Sequence, residues 1–290
     1  MDLDTLKIFD TVAVELSMTR AAARLGRAPS NVTTRIQQLE ADLGVELFVR
    51  TGKRIGLSSA GQQFRVYAQR MLALEDEARQ VIGGGASGGT LRIGSMESTA
   101  ASRLPLRLAA FNKAWPATRL EVSTGPSGIL LRQLRDGQLD CAFVALPPGA
   151  NVEPELAGYN LQAMALWQEA LVLLLPASEA GVSAPGQVRT RTLAAFRPGC
   201  VYRAIAQTQL GISAGSSWQV QELGSYHAMV ACVAAGSCVT LLPRSVLELC
   251  QVPADLPVLD IGLVDTWLVW RQGYSAPAFQ HFCAALEQYL

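Results

Sequence analysis

Apolar residues recur at helical spacing along the first third of the chain. Leu6, Phe9, Ala13 and Leu16 define one face of a first helix. Ser17 stands where an N-cap belongs, ahead of a second helix whose small face is Ala21, Ala22 and Leu25 and which Gly26 ends. After Arg27-Ala28-Pro29, the residues Val32, Ile36, Leu39 and Leu43 step by four, three and four up to Gly44. A short helix, a tight turn and a longer helix make a helix-turn-helix. Leu47-Phe48 and Ile55-x-Leu57 then read as two short strands around the tip Arg50-Thr51-Gly52-Lys53-Arg54, a β-wing.

Ser59 followed by Gln62 reads as a capping box. Beyond it Phe64, Tyr67, Met71, Leu74, Ala78 and Val81 form a narrow heptad seam on a helix of roughly twenty residues. So narrow a seam suits pairing with a second copy of the chain. A glycine-rich stretch from Gly83 to Gly89 predicts a flexible hinge. From Leu91 onward strands alternate with helices. Strands are predicted at 91–94, 119–123, 139–145, 170–175, 200–202, 218–221, 239–242 and 266–270, and helices at 100–113, 127–135 and 277–290. The fold class is therefore α/β, with a winged helix-turn-helix at 1–58, a linker and dimerisation helix at 59–82, a hinge at 83–90 and an effector-sized α/β domain at 91–290.

Composition narrows the function. Half of the residues are apolar and 17% are charged, as expected for a folded chain with little disorder. No apolar run approaches the ~20 residues that cross a bilayer, and the acidic start MDLDTLKIFD is unlike a secretory signal, so the expected location is the cytoplasm, with no membrane partner. Six cysteines without a Cys-x-x-Cys pair, and only two histidines, argue against a zinc site; free thiols, no metal and no cofactor are expected. Net charge is zero, yet residues 17–58 hold seven basic residues against three acidic. That local excess is a modest footprint for DNA.

The chemistry-bearing residues fall into two groups. Ser30, Asn31, Thr33, Thr34, Arg35, Gln37 and Gln38 give the third helix a hydrogen-bonding face, uncharged but for Arg35, suited to base edges in a major groove. Arg50, Lys53 and Arg54 at the wing suit phosphates or a minor groove. In the α/β region three turns are rich in hydroxyls and glycine: Ser95-Met96-Glu97-Ser98-Thr99, Thr124-Gly125-Pro126-Ser127-Gly128 and Gly224-Ser225-Tyr226-His227. Such turns at strand ends, feeding helix N-termini, favour a bound carboxylate or other anion. Arg203 is a candidate clamp for it, and Glu97 or Glu222 would meet an amine if they face the cleft.

Leu39-Glu40-x-x-Leu43-Gly44-x-x-Leu47-Phe48-x-Arg50 followed by Leu57-Ser58-x-Ala60-Gly61 resembles the DNA-binding domain of LysR-type transcriptional regulators. One departure stands out. Where the family usually has Ser-Gln-Pro-Ala, this chain has Ala28-Pro29-Ser30-Asn31, which leaves Ser30 to take the capping role. The resemblance extends to the family's effector domain, similar in fold to periplasmic solute-binding proteins. It implies two subdomains, about 91–162 with 267–290 and about 163–266, the chain crossing between them twice. It also implies effector contacts from Ser98, Thr99 and Ser127, with Tyr202, Arg203 and Tyr226 on the far wall. The phrases STAAS, STGPSG, SYHAMVACV and TWLVW are similar to those of putrescine-utilisation regulators within the family.

The expected function is sequence-specific transcriptional control by a homodimer that assembles into a homotetramer. Its partners would be an inverted-repeat duplex, a small polar effector of the amino-acid or polyamine type, and RNA polymerase. Two other classes compete: a solute-binding module, and an enzyme using Cys200 and His227 as nucleophile and base, each with an appended DNA-binding domain.

Overall fold

The computed structural model describes residues 1–290 except Lys53, 84–87, 148, 150, 151, 153–155, 157 and 288–290, and except the side chains of Arg50, Thr51 and Arg54. The chain divides into two compact units, one of residues 1–84 with 136–138, the other of 85–135 with 139–290. Half of the expected hinge over 83–90, residues 84–87, lies outside the described residues.

In the first unit α1 (Leu3–Glu15), α2 (Met18–Leu25) and α3 (Pro29–Leu43) precede β1 (Phe48–Thr51), β2 (Arg54–Leu57) and the long α4 (Ser59–Ile82). Leu6, Ile8, Phe9 and Val12 of α1 meet Ala21 and Ala22 of α2 and Val32, Ile36 and Leu39 of α3 in one core. The two alanines carry almost no side chain, so α2 can lie close against α1. Ser17 caps α2 by accepting from the Arg20 N–H at 3.3 Å, as expected. The other two cap assignments change. At α3 the cap is Ala28, with no side-chain bond, and Pro29 opens the helix; its fixed φ suits the first helical position, so Ser30 falls inside the first turn and is exposed. At α4 the cap is Ser58 instead of Ser59, its Oγ accepting from the Gly61 N–H at 2.9 Å and donating to the Glu46 carbonyl at 2.7 Å.

Two further contacts explain the motif residues around the wing. Glu40 Oε1 accepts from the N–H groups of Leu47 (2.8 Å) and Phe48 (3.0 Å), tying α3 to the entrance of β1. Gly61 lies so close to Leu47 that an added Cβ would come within 2.0 Å of the Leu47 carbonyl oxygen. Because that obstacle is backbone, it cannot swing away. Gly61→Ala is therefore expected to cost about 1–3 kcal/mol of stability in this unit through overpacking, read as a lower melting midpoint for the DNA-binding domain. An unchanged midpoint would mean that α4 can shift at no cost.

The second unit is built on an eight-stranded sheet in the order β4-β3-β5-β10-β6-β9-β7-β8. Its strands are β3 (Thr90–Ser95), β4 (Arg119–Thr124), β5 (Cys141–Ala145), β6 (Leu161–Leu174), β7 (Thr192–Ala195), β8 (Gln219–Glu222), β9 (Val239–Pro243) and β10 (Val258–Arg271). Strands β4, β3 and β5 run parallel, as do β8, β7 and β9. Between these halves the long β6 and β10 pair antiparallel along almost their whole length. Both crossings of the chain are thus single unbroken strands. The register slips between Asp260 and Gly262 and between Thr266 and Trp267, where β10 passes from one half to the other.

The helices are α5 (Glu97–Ser102), α6 (Leu104–Ala114), α7 (Ser127–Arg135), α8 (Val201–Gln209), α9 (Tyr226–Ala234), α10 (Arg244–Leu247) and α11 (Pro277–Glu287). Two expectations are corrected here. The helix predicted over 100–113 is two helices, broken at Arg103 because Pro105 can sit only in the first turn of the second. Cys200–Tyr202 is not a strand but the start of α8, whose Tyr202, Ile205 and Ala206 bury one helical face. The strand of that region is β7, four residues long and too short for periodicity to reveal. Among the described residues no helix is long and apolar enough to cross a membrane.

Candidate functional site

The first candidate surface lies on α3. Val32, Ile36 and Leu39 face the core, so helical geometry turns Ser30, Asn31, Thr34, Gln37 and Gln38 outward, and all five are exposed. Thr33 is half-buried and donates its hydroxyl to the Pro29 carbonyl at 2.9 Å. Arg35 reaches the carboxylate of Asp2 at 3.4 Å. Neither is displayed as freely as its neighbours. The wing pairs Arg50 with Ile55 and Thr51 with Arg54, which brings Arg50 and Arg54 to the tip; Lys53 lies outside the described residues.

The basic excess is smaller than the count over 17–58 implies. Arg20 and Arg24 pair with Glu15, and Arg27 pairs with Asp4 at 2.6 Å. These acids lie on α1, just outside that window. Over residues 1–58 there are eight basic residues against seven acidic. Recognition here would lean on uncharged groups and the wing more than on bulk charge.

On α4 the apolar positions divide into two faces. Phe64 packs edge-on to Phe9, ring centroids 5.0 Å apart, and Met71 joins the same core. Arg65 and Gln69 both bond to Asp10 of α1, at 3.0 and 2.9 Å. Phe64 and Met71 are therefore occupied within their own chain and drop out of the seam. The adjoining stripe keeps Tyr67, Leu74 and Val81 in steps of seven, 61%, 65% and 46% exposed, and Ala78 and Ile82 are exposed as well.

The second candidate site is a cavity of about 190 Å³ in the α/β unit, below the ~300–1,000 Å³ of drug-sized pockets and fit for a small metabolite. It opens at the carboxyl ends of β3, β4, β7 and β8, where α5, α7, α8 and α9 begin. One side holds Met96, Glu97, Ser98 and the turn Thr124 to Ser127; the other holds Phe196, Cys200, Tyr202, Gly224 and Tyr226. Ser98, Ser127, Tyr202 and Tyr226 thus come together as expected, each about 3% exposed. Phe196, which touches the Tyr226 ring edge-on at 4.8 Å, was not legible in the sequence because β7, the strand before it, was not.

Two expected members stand elsewhere. Thr99 is buried but is not among the lining residues. Arg203 is not among the lining residues either; its Nη1 donates to the Phe196 carbonyl (2.9 Å) and to Glu222 Oε1 (2.7 Å). Glu222, the other acid considered for an amine, is paired in the same bond. Among the described residues no lysine or arginine lines the cavity.

What remains there is a group of buried polar atoms without protein partners. Glu97 Oε2 has no partner. Ser98 and Thr266 lie near enough to the Tyr202 phenol to act on it, yet none of these three hydroxyls completes a well-aligned hydrogen bond. Buried polar groups are almost always bonded, so an unmatched cluster marks a place where a ligand completes the pairing. Ser98 is not a helix cap: the cap of α5 is Met96. Ser127 Oγ, by contrast, accepts from the Ala145 N–H at 3.2 Å and is already satisfied. Burial raises the Glu97 carboxyl above its ordinary range, opposed by the charge of His227. Burial likewise raises the phenols of Tyr202 and Tyr226, which stay neutral donors. The Cys200 thiol also rises through burial, which disfavours the thiolate a nucleophile needs.

Behind the cavity a network joins the two halves. Arg103 holds Glu169 of β6 through Nε to Oε1 at 2.7 Å and Nη2 to Oε2 at 3.1 Å. Ser245 of α10 donates to the same carboxylate at 2.8 Å and lies 3.1 Å from the Ser102 hydroxyl.

Comparison with known proteins agrees with this division. Residues 3–62 match the family described as "Bacterial regulatory helix-turn-helix protein, lysR family", and residues 84–290 match "LysR substrate binding domain". The HTH-type transcriptional regulator GltR of Bacillus subtilis (strain 168) is 38% identical over 248 residues, covering 85% of this chain and 81% of that protein. The regulator YofA of the same organism is 32% identical over 298 residues, covering 99% of each. Among solved structures, a full-length OxyR variant from Pseudomonas aeruginosa covers 99% of this chain and 95% of its own at TM-score 0.73 and 22% identity. Full-length CbnR complexed with its target DNA covers all of both chains at TM-score 0.68 and 22% identity. These relatives give no support to the narrower likeness to putrescine-utilisation regulators. The chain belongs to the LysR family of DNA-binding transcriptional regulators, which have a ligand-binding effector domain and are not enzymes.

Proposed function

We propose that this regulator works as a homo-oligomer on an inverted-repeat operator, and that a small polar metabolite bearing a carboxylate sets its occupancy from the cavity between β3, β4, β7 and β8. The observation that carries the reading is the cluster of buried hydroxyls at that cavity that complete no well-aligned bond to the rest of the protein, at the starts of α7, α8 and α9. Helix N-termini present free N–H groups and a positive dipole end, which suit an anion where no arginine is available. The exposed face of α3 would enter the major groove, and Arg50, Lys53 and Arg54 would meet phosphates. The CbnR structure with target DNA supports this docking by analogy of fold. Paired α4 helices would hold two such units, with RNA polymerase as a further partner. The working compartment is the one that holds the DNA, the cytoplasm.

Ser98 is the direct test. A panel of small carboxylic and amino acids is titrated into the full chain, with binding followed by calorimetry. Ser98→Ala should weaken whichever acid binds by about ten- to a hundredfold, the value of a hydrogen bond to a charged group. Operator affinity without the acid should stay unchanged. Since Ser98 caps nothing, its melting temperature should also hold. An unaltered titration in Ser98→Ala would remove the hydroxyl cluster as the effector site.

A further inference from the structure

The carboxylate reading leaves one group in the cavity unexplained, and it has the wrong sign. Glu97 lines the cavity, and its Oε2 is buried with no hydrogen-bond partner. A purely anionic effector would bring a second negative charge beside it at short range, a repulsion that a low-dielectric site strengthens. Nothing on the lining cancels that charge, because no lysine or arginine is there. The charged or titratable groups that face Glu97 are few. From α9 come His227, which is exposed and makes no ion pair with it within 4 Å, and the neutral Tyr226; from the loop after α10 comes the Cys250 thiol.

We infer that Glu97 is the anchor for a protonated amine on the effector, so that the cavity takes a zwitterion, its carboxylate at the helix N-termini and its ammonium at Glu97. The inference rests on the effector cavity proposed above. Geometry supports the pairing of opposite poles within one small molecule. Glu97 and Ser98 follow β3, while the N-termini of α7, α8 and α9 approach from the turn at 124–127 and from the opposite wall. A cavity of about 190 Å³ leaves space for an α-amino acid of moderate size. The ammonium supplies the hydrogen bond that Oε2 lacks, and the buried hydroxyls of Ser98 and Tyr202 remain to bond the other polar atoms.

The pH dependence follows from the same arrangement. Burial raises the Glu97 carboxyl above the ordinary glutamate range. The ammonium needs the carboxylate form, so amine affinity is full above that raised value and falls as pH drops through it. Without effector, burial disfavours the charged form of Glu97, so the ionised carboxylate is a cost to the fold. Glu97→Gln should therefore raise the melting temperature of the free protein at neutral pH while it impairs binding.

The experiment uses the full chain and two matched series: L-α-amino acids, and the same carboxylic acids without the α-amine (L-glutamate against glutarate, L-leucine against 4-methylpentanoate). Binding is measured by calorimetry at neutral and at mildly acidic pH. At least one amino acid is expected to bind about tenfold or more tightly than its deaminated partner, the size of a charged hydrogen bond. Glu97→Gln should abolish that preference and its loss at acidic pH. Deaminated acids that bind as well as the amino acids, or a preference that survives Glu97→Gln, would overturn the amine anchor and leave the cavity standing. If neither series binds, the effector cavity falls along with it.

Discussion

Leu74→Glu is expected to convert the protein to monomers and to reduce operator affinity by more than a hundredfold. Leu74 is 65% exposed at the centre of an apolar line that runs from Tyr67 through Leu74 to Val81. An apolar row at steps of seven on an otherwise polar helix matches the seam of a paired coil, where each side chain is buried against its twin. A carboxylate there would be desolvated twice in a symmetric dimer, next to its own copy. Half-site binding without the partner forfeits the effective concentration that links two recognition helices, which is worth about 10²–10⁴ in affinity. Sedimentation velocity and a gel shift on the same preparations check both effects. Leu74 is exposed and takes no part in the winged-helix core around Phe9 and Phe64, so each monomer should remain folded. A variant that sediments as wild type would place the oligomer interface elsewhere. Met71→Glu is the informative contrast, since it should unfold the DNA-binding unit instead of merely dissociating it.

Arg103→Ala is expected to cost about 3 kcal/mol in the stability of the effector domain, and Glu169→Gln distinctly less. Glu169 is 2% exposed and depends on the two bonds from Arg103 and the one from Ser245. Removing the guanidinium leaves a buried carboxylate with a single hydroxyl donor. Breaking such a pair costs roughly 3–5 kcal/mol, because the remaining charge is stranded. Arg103 keeps about a third of its side chain in contact with water, which sets the lower end of that range. The amide in Glu169→Gln removes the charge with its partner still present, so less is left uncompensated. Denaturant melts of both variants test the order. Equal losses would mean that Glu169 contributes shape and not charge. Glu169 also raises the Tyr202 phenol, so the same network lies within electrostatic reach of the effector cavity.

The difference between the two ends of the chain is instructive. In the DNA-binding unit nearly every feature was legible, because short helices with one buried stripe write their period directly into the sequence. Even there two caps were misassigned by the presence of adjacent candidates: Ser58 beside Ser59, and Ser30 just past Pro29. In the effector domain the strands of 14 residues, β6 and β10, were read only in part, since each changes environment midway from one half of the sheet to the other. Their burial pattern is neither continuous nor alternating, and no single period describes it.

Linear order determined the helix-turn-helix, the wing and the α/β class, all of which depend on neighbours within a few turns. It also marked the turns that carry Ser98, Ser127 and Tyr226, because strand ends and helix starts are local signals; Tyr202 entered only through the family resemblance. Only the tertiary structure decided which polar groups are already satisfied. Arg203 looked like an anion clamp until Glu222 and the Phe196 carbonyl took its donors. Phe64 and Met71 matched the heptad of Leu74 until α1 covered them. Glu97, one acid among 24 acidic residues, gained its meaning from having no partner where it is buried. Pairing and burial are properties of residues far apart in sequence, and a local pattern carries no record of them.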